Sequence, residues 1–134
     1  KAAADACGKP IYLEMGSVNP VFVLAGALEE RLEAIAAELS GSCSLGAGQF
    51  CTKPGIVVVP AGPSGEAFLD KVRAAFESSP PGTLLGKDTL RSVGDAVGVL
   101  RRSGADLLAG GREMGGPRCS YAATLLRVAA AKRR

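Results

Sequence analysis

Apolar residues recur every three or four positions in three stretches of the chain, a spacing that predicts amphipathic helices. In the first stretch three glutamates stand near the start, where the helix dipole favours negative charge. A Pro-Pro-Gly break at residues 80–82 separates the second stretch from the third. The apolar positions are Leu28, Leu32, Ile35, Ala36, Leu39 and Cys43 in the first stretch, Phe68, Leu69, Val72 and Phe76 in the second, and Leu90, Val93, Val97 and Leu100 in the third.

Short apolar runs without this spacing alternate with the helices and predict strands. They fall at residues 11–15 and 21–25, on either side of Asn19-Pro20, then at 56–59 and around Leu107. The uncharged β-branched run at 56–59 is typical of a strand covered on both faces. The alternation predicts an α/β fold in which a mostly parallel sheet has helices on both faces.

The composition indicates one soluble domain of the cytoplasm. The 134 residues are 47% hydrophobic with a net charge of +3, no run reaches the roughly 20 apolar residues of a membrane span, and residues 1–4 do not resemble a signal peptide. Basic residues are scattered and aromatic residues are few, so we expect no nucleic acid partner. The cluster at residues 132–134 is interpreted as a solvated end of the chain.

Cys51 is the candidate nucleophile, in the stretch Gly-Gln-Phe-Cys-Thr-Lys-Pro-Gly at residues 48–55. A thiol on a short connection between a helix and a strand is held rigidly while a substrate approaches it. Taken alone, Cys51 is better interpreted as a buried structural thiol than as a nucleophile. The chain has no histidine, which excludes a Cys-His pair within it and leaves a zinc site only Cys, Asp and Glu ligands. Cys7, Cys43 and Cys119 match neither a disulfide scaffold nor a CxxC metal pair, so we expect reduced, unreactive thiols.

Glu14 is the candidate general base, because it lies between Leu13 and Met15 in an extended apolar segment. Desolvation raises the pKa of a carboxyl group towards the range useful for a base. The residues alone do not exclude a solvated acid at a strand end. Asn19 is expected to start a turn before Pro20 rather than to touch a substrate. Lys53 has two readings: a charge that activates the thiol, or a solvated lysine, which we favour.

The two motifs together resemble the catalytic segment of the aldehyde dehydrogenase superfamily. Leu-Glu-Met-Gly-Ser-Val-Asn-Pro at residues 13–20 carries the glutamate, and the cysteine follows it by 37 positions. The Ser-Val-Asn-Pro ending and the Gln-Phe-Cys-Thr core resemble the branch of 2,5-dioxovalerate (α-ketoglutaric semialdehyde) and fatty aldehyde dehydrogenases. Commoner members carry Gly-Lys-Ser-Pro after the glutamate, so this chain departs from them at Val18 and Asn19. Residues 104–111 and 123–126 look like strands of the family's catalytic domain.

The resemblance implies a site and a reaction. Cys51 attacks an aldehyde, a hydride passes to NAD or NADP, and Glu14 activates the water that hydrolyses the resulting thioester. The backbone N–H of Cys51 would supply half of an oxyanion hole. Gly16 and Gln49 would lie against the cofactor, and no metal is expected. The intact enzyme would act on a small-molecule aldehyde as a homo-oligomer.

The resemblance also implies that the chain is part of a longer enzyme. Residues 1–20 would be the end of a cofactor-domain helix and a connecting strand, and residues 21–134 part of the catalytic domain. Without the hydride acceptor's domain, the isolated chain is expected to be inactive. The alternatives are a non-catalytic folded module and, less favoured, a CoA-acylating relative, in which Glu14 would have little to do.

Overall fold

The computed structural model describes residues 2–12 and 16–129 of the chain. Within them four helices and six strands follow one another in an α/β arrangement, and a short turn at Leu45–Gly48 follows the second helix. The helices are α1 (Ala2–Ala6), α2 (Ala25–Ser44), α3 (Pro63–Ser78) and α4 (Lys87–Arg102), and the strands are β1 (Pro20–Phe22), β2 (Ile56–Val58), β3 (Asp106–Ala109), β4 (Glu113–Met114), β5 (Ser120–Tyr121) and β6 (Leu125–Arg127).

The three long helices form where the apolar spacing predicts them. Helix α3 begins with Pro63, whose fixed φ suits the first helical position. Helix α4 carries two arginines in its last turn, where the helix dipole favours positive charge. Gly104 follows this helix with φ of 97°. The expectation for the glutamates of the first helix is wrong, because α2 begins at Ala25 and its first turn contains no acid.

Strand pairing confirms the α/β class and departs from the expected sheet in detail. Strands β1 and β2 are parallel, whereas β3 pairs with β6 and β4 with β5 in antiparallel fashion. The strand expected at residues 21–25 ends at Phe22, because the chain turns into α2 at Ala25. Of the strand expected at residues 11–15, Ile11 and Tyr12 are not in a strand, and the remaining three residues lie outside the described part.

The core lies between α2, α3 and one face of the parallel pair. Phe68 and Val72 of α3 are 1% and 2% exposed, and Val21 and Val57 of the two strands pack against the same cluster. The opposite face of the pair is open: Phe22, Ile56 and Val58 are 68%, 53% and 47% exposed. The predicted cover on both faces is therefore found on one face only within the described residues, since no described helix packs on the other.

None of the helices in the described part of the chain combines the length and the apolar character that a membrane span requires.

Candidate functional site

Cys51 lies on an exposed turn between α2 and β2. The chain reaches this turn through three consecutive residues in the left-handed region, Gly46, Ala47 and Gly48, with φ of 58°, 58° and 73°. Two of the three are glycines, which adopt this region without a steric penalty. The left-handed turn reverses the chain at the end of α2 and presents the thiol to solvent, as the sequence predicts for a nucleophile.

The segment from Ser17 to Asn19 holds the cysteine turn at both ends. The Ser17 hydroxyl donates to the carbonyl oxygen of Cys51, and Asn19 Nδ2 donates to the same oxygen over 2.6 Å. Asn19 Nδ2 also lies 3.1 Å from the carbonyl oxygen of Lys53. The N–H of Gly55 donates to the Val18 carbonyl over 2.7 Å. The glutamate motif and the cysteine motif, 32 to 37 positions apart in sequence, are therefore in direct contact.

The backbone of this segment is built for the contact. Asn19 has φ of 45°, a conformation that asparagine tolerates better than most residues. It orients the side-chain amide towards the cysteine turn, and Pro20 then enters β1 opposite Ile56. At Gly55 a side chain would collide with the Val18 carbonyl oxygen, so the close approach of the two backbones requires glycine.

Gln49 bridges the cysteine turn to the segment before α4. Its Oε1 accepts a hydrogen bond from the Leu85 N–H over 2.8 Å, and its Nε2 donates to the carbonyls of Gly46 and Thr83 over 3.0 and 3.2 Å. Both ends of the amide are thus engaged with the backbone. A contact between Gln49 and a cofactor stays a prediction.

The two remaining predicted site residues are Gly16 and Glu14. Gly16 is exposed, and the space where its side chain would stand contains no atom within 4 Å. Glu14 lies outside the described residues, and its role stays a prediction. The sequence does not predict a role for Ser17, and it predicts only a turn at Asn19. An Asn directly before a proline and near a catalytic motif is also a signal for a hydrogen bond to that motif.

Lys53, the lysine beside the cysteine turn, is hydrogen-bonded to the backbone. Lys53 is half-buried and its Nζ donates to the Pro54 carbonyl over 3.2 Å. The Cys43 thiol lies 3.8 Å from the same oxygen, and burial raises its pKa, an effect that the charge of Lys53 partly opposes. Lys53 is therefore neither fully solvated nor shown to act on the candidate nucleophile. Cys43 is a half-buried thiol in the apolar face of α2, as its spacing predicts.

Within residues 2–12 and 16–129, no group of three or more His, Cys, Asp or Glu side chains is arranged to hold a metal ion. A groove of about 690 Å³ lies between the end of α4 and β3, and a smaller cavity of about 170 Å³ lies beside the end of α3. Cys51 lines neither of them. The described part of the chain presents its thiol on an open surface rather than in an enclosed pocket.

Comparison with known proteins identifies the family. Residues 1–133 match the aldehyde dehydrogenase family, and the chain belongs to it. It is 34% identical over 104 residues to the α-ketoglutaric semialdehyde dehydrogenase of Acinetobacter baylyi, covering 77% of this chain and 20% of that protein. It is 37% identical over 106 residues to α-ketoglutaric semialdehyde dehydrogenase 2 of Azospirillum brasilense, covering 79% of this chain and 19% of that protein. The chain thus spans about a fifth of the length of these relatives.

Solved structures agree on the fold. A lactaldehyde dehydrogenase structure superimposes with a TM-score of 0.80 at 24% identity, covering 93% of this chain and 28% of that one. The NAD⁺ complex of an aldehyde dehydrogenase from Bacillus cereus superimposes with a TM-score of 0.77 at 20% identity, covering 93% and 27% of the two chains. The α/β arrangement of the described residues is therefore that of part of an aldehyde dehydrogenase.

Proposed function

We propose that this chain is the nucleophile-bearing part of an NAD(P)-dependent aldehyde dehydrogenase that oxidises 2,5-dioxovalerate, also called α-ketoglutaric semialdehyde, to the dicarboxylic acid. The observation that carries the proposal is the contact between the two motifs: Ser17 and Asn19 bind the main chain of Cys51. This contact supports a single site that contains both the thiol and the segment following Glu14. The substrate class rests on the two relatives named for it and on the motif variant at Val18 and Asn19.

In the proposed reaction Cys51 acts as the nucleophile. Its thiolate sulfur attacks the aldehyde carbon, and the carbonyl oxygen becomes an oxyanion. We assign the Cys51 N–H as one donor to this oxyanion. Among the described residues none accepts a hydrogen bond from it. When bound, NAD⁺ or NADP⁺ supplies a hydride acceptor. The division of the chain at residue 20 between cofactor-binding and catalytic parts is also a proposal.

Glu14 is the proposed base for the second half of the reaction. It removes a proton from water, the hydroxide attacks the thioester carbon, and the Cys51 thiolate leaves as the acid is released. Glu14 stands three positions before Ser17. Ser17 contacts the Cys51 carbonyl, so the segment that follows the proposed base reaches the cysteine turn.

The test is an activity assay on the full-length protein with 2,5-dioxovalerate and either NAD⁺ or NADP⁺, followed by the absorbance of the reduced nicotinamide. Cys51→Ser is expected to abolish turnover. Cys7→Ser is the matched control, since Cys7 is also a free and exposed cysteine, and it is expected to retain wild-type activity. Equal activity of the two variants would refute the proposed nucleophile. Oxidation of other aldehydes but not of 2,5-dioxovalerate would refute only the proposed substrate.

A second candidate is a folded module without activity of its own. The open apolar face at Phe22, Ile56 and Val58 favours it, because such a face is typical of a surface that another part of a protein covers. Cofactor-dependent turnover by the isolated chain would exclude this candidate.

A further inference from the structure

Asn19 and Ser17 converge on one acceptor, the carbonyl oxygen of Cys51. A backbone carbonyl has two lone pairs, and here two side-chain donors approach the same oxygen. Asn19 Nδ2 also lies 3.0 Å from Ser17 Oγ, so the two donors are linked to each other. The arrangement fixes one carbonyl from two directions, which a single hydrogen bond on an exposed turn would not do.

Fixing this carbonyl fixes the peptide plane on the C-terminal side of Cys51. The peptide unit is planar, so the orientation of the Cys51 carbonyl also sets that of the Thr52 N–H. Asn19 also donates a hydrogen bond to the Lys53 carbonyl, and the Val18 carbonyl accepts one from the Gly55 N–H. The main chain from which the Cys51 thiol projects is therefore restrained along its whole C-terminal side by one short segment.

We propose that Asn19 and Ser17 are positioning residues for the nucleophile: through the Cys51 carbonyl they set the direction from which the Cys51 sulfur meets the aldehyde. This inference rests on the proposed function for its chemistry and deepens it by naming the residues that orient the thiol. Neither side chain touches the substrate in this account. Their contribution is geometric, and misplacing a reacting group by about 1 Å costs about 10²-fold in rate.

The test uses variants that preserve the backbone of the segment. Asn19→Asp keeps the size and the tolerance for positive φ but replaces the donor with an acceptor that faces two carbonyls. Asn19→Gly keeps the conformational freedom and deletes the side chain. Ser17→Ala removes the second donor. Ser78→Ala is the matched control, because Ser78 is an exposed serine whose hydroxyl also donates to a main-chain carbonyl, that of Ala75, far along the chain from Cys51.

Two measurements are made on the full-length protein. The first is kcat and KM with 2,5-dioxovalerate and saturating cofactor. We expect kcat to fall by about ten- to a hundredfold in Asn19→Asp, less in Asn19→Gly, and by about fivefold in Ser17→Ala, with KM nearly unchanged. The second is the alkylation rate of Cys51 by iodoacetamide, followed by peptide mass mapping, which needs neither aldehyde nor cofactor. We expect the same order of effects on this rate, while Ser78→Ala behaves as wild type.

The melting temperature separates positioning from folding. The inference is upheld if kcat and the Cys51 alkylation rate change while Cys7 alkylation and the melting temperature stay close to those of Ser78→Ala. It is overturned if the Asn19 variants retain wild-type kcat and Cys51 alkylation. It is also overturned if their losses merely follow a drop in melting temperature and Ser17→Ala, the milder change, shows none. A protein that does not oxidise 2,5-dioxovalerate but shows the expected alkylation order refutes the substrate and leaves the positioning role in place.

Discussion

The side-chain amide of Asn19 donates a 2.6 Å hydrogen bond to the main-chain carbonyl of Cys51, across 32 positions of the chain. This bond joins the end of the glutamate motif to the cysteine motif. It explains why an asparagine stands before Pro20: the residue must both adopt a positive φ and reach the cysteine turn with a donor. The site therefore depends on the hydrogen bonds between the motifs as much as on the motifs themselves.

Gly55→Ala tests the close approach of the two segments. The added methyl group would collide with the Val18 carbonyl oxygen, which belongs to the backbone and has little room to move. We expect a loss of about 1 to 3 kcal/mol in the free energy of unfolding, the usual cost of overpacking, and slower alkylation of Cys51. Gly41→Ala is the control, since Gly41 lies in α2 with open space around it; it is expected to gain up to about 1 kcal/mol. A Gly55→Ala variant as stable as wild type would show that the segments do not approach as described.

Gln49 is expected to stabilise the cysteine turn through its hydrogen bonds to the backbone. Gln49→Met removes both the donor and the acceptor at nearly constant size, and we expect a loss of about 1 kcal/mol in denaturant unfolding, because the hydrogen bonds are exposed. Gln49→Glu keeps the acceptor for Leu85 but sets a carboxylate against the carbonyls of Gly46 and Thr83, so we expect a larger loss. The reverse order of stability would contradict the bridging role.

Because one face of the parallel pair is open, substitutions at two neighbouring residues are expected to differ in their effect on stability. Ile56→Thr changes the exposed face, and we expect weaker binding of a hydrophobic dye with little change in stability. Val57→Thr places a hydroxyl on the face that packs against the core, and we expect a loss of about 1 to 3 kcal/mol. Equal losses from both variants would mean that both faces are covered in solution.

The half-buried thiol of Cys43 predicts a dependence of stability on alkaline pH. Burial raises the pKa of the Cys43 thiol above its ordinary value. The unfolded chain therefore loses this proton first as pH rises, and the free energy of unfolding declines once pH passes the unfolded value. Cys43→Ala removes the titrating group, so its stability is expected to decline less between pH 8 and pH 10 than that of wild type. A parallel decline in the two proteins would show that other groups account for it, among them Tyr121, whose pKa burial also raises.

Local pattern was sufficient for the helices and for the exposed thiol. Helices α2, α3 and α4 are formed by stretches whose apolar spacing is unbroken, and the position of Cys51 follows from the elements on either side of it. Pattern was insufficient where distant segments decide the outcome. The antiparallel pairing of β3 with β6, the exposure of Ile56 and the engagement of Gln49 all depend on which segments are neighbours in space.

The contact of Ser17 and Asn19 with Cys51 also depends on which segments are neighbours in space. A hydrogen bond between side chains and a carbonyl more than 30 positions away has no period or spacing in sequence. The resemblance to aldehyde dehydrogenases predicts that the two motifs act at one site. The family match over residues 1–133 agrees with that resemblance. The residues that connect the motifs became visible only with the fold.

The most direct test of the central claim is to trap the covalent intermediate. The full-length Glu14→Gln variant is incubated with 2,5-dioxovalerate and NAD⁺ or NADP⁺, quenched in acid, and mapped by peptide mass spectrometry. Because the proposed base is missing while the nucleophile is intact, we predict that an acyl group accumulates as a thioester on Cys51. Turnover by the wild-type protein with no adduct on Cys51, or with the adduct on another cysteine, would contradict the account.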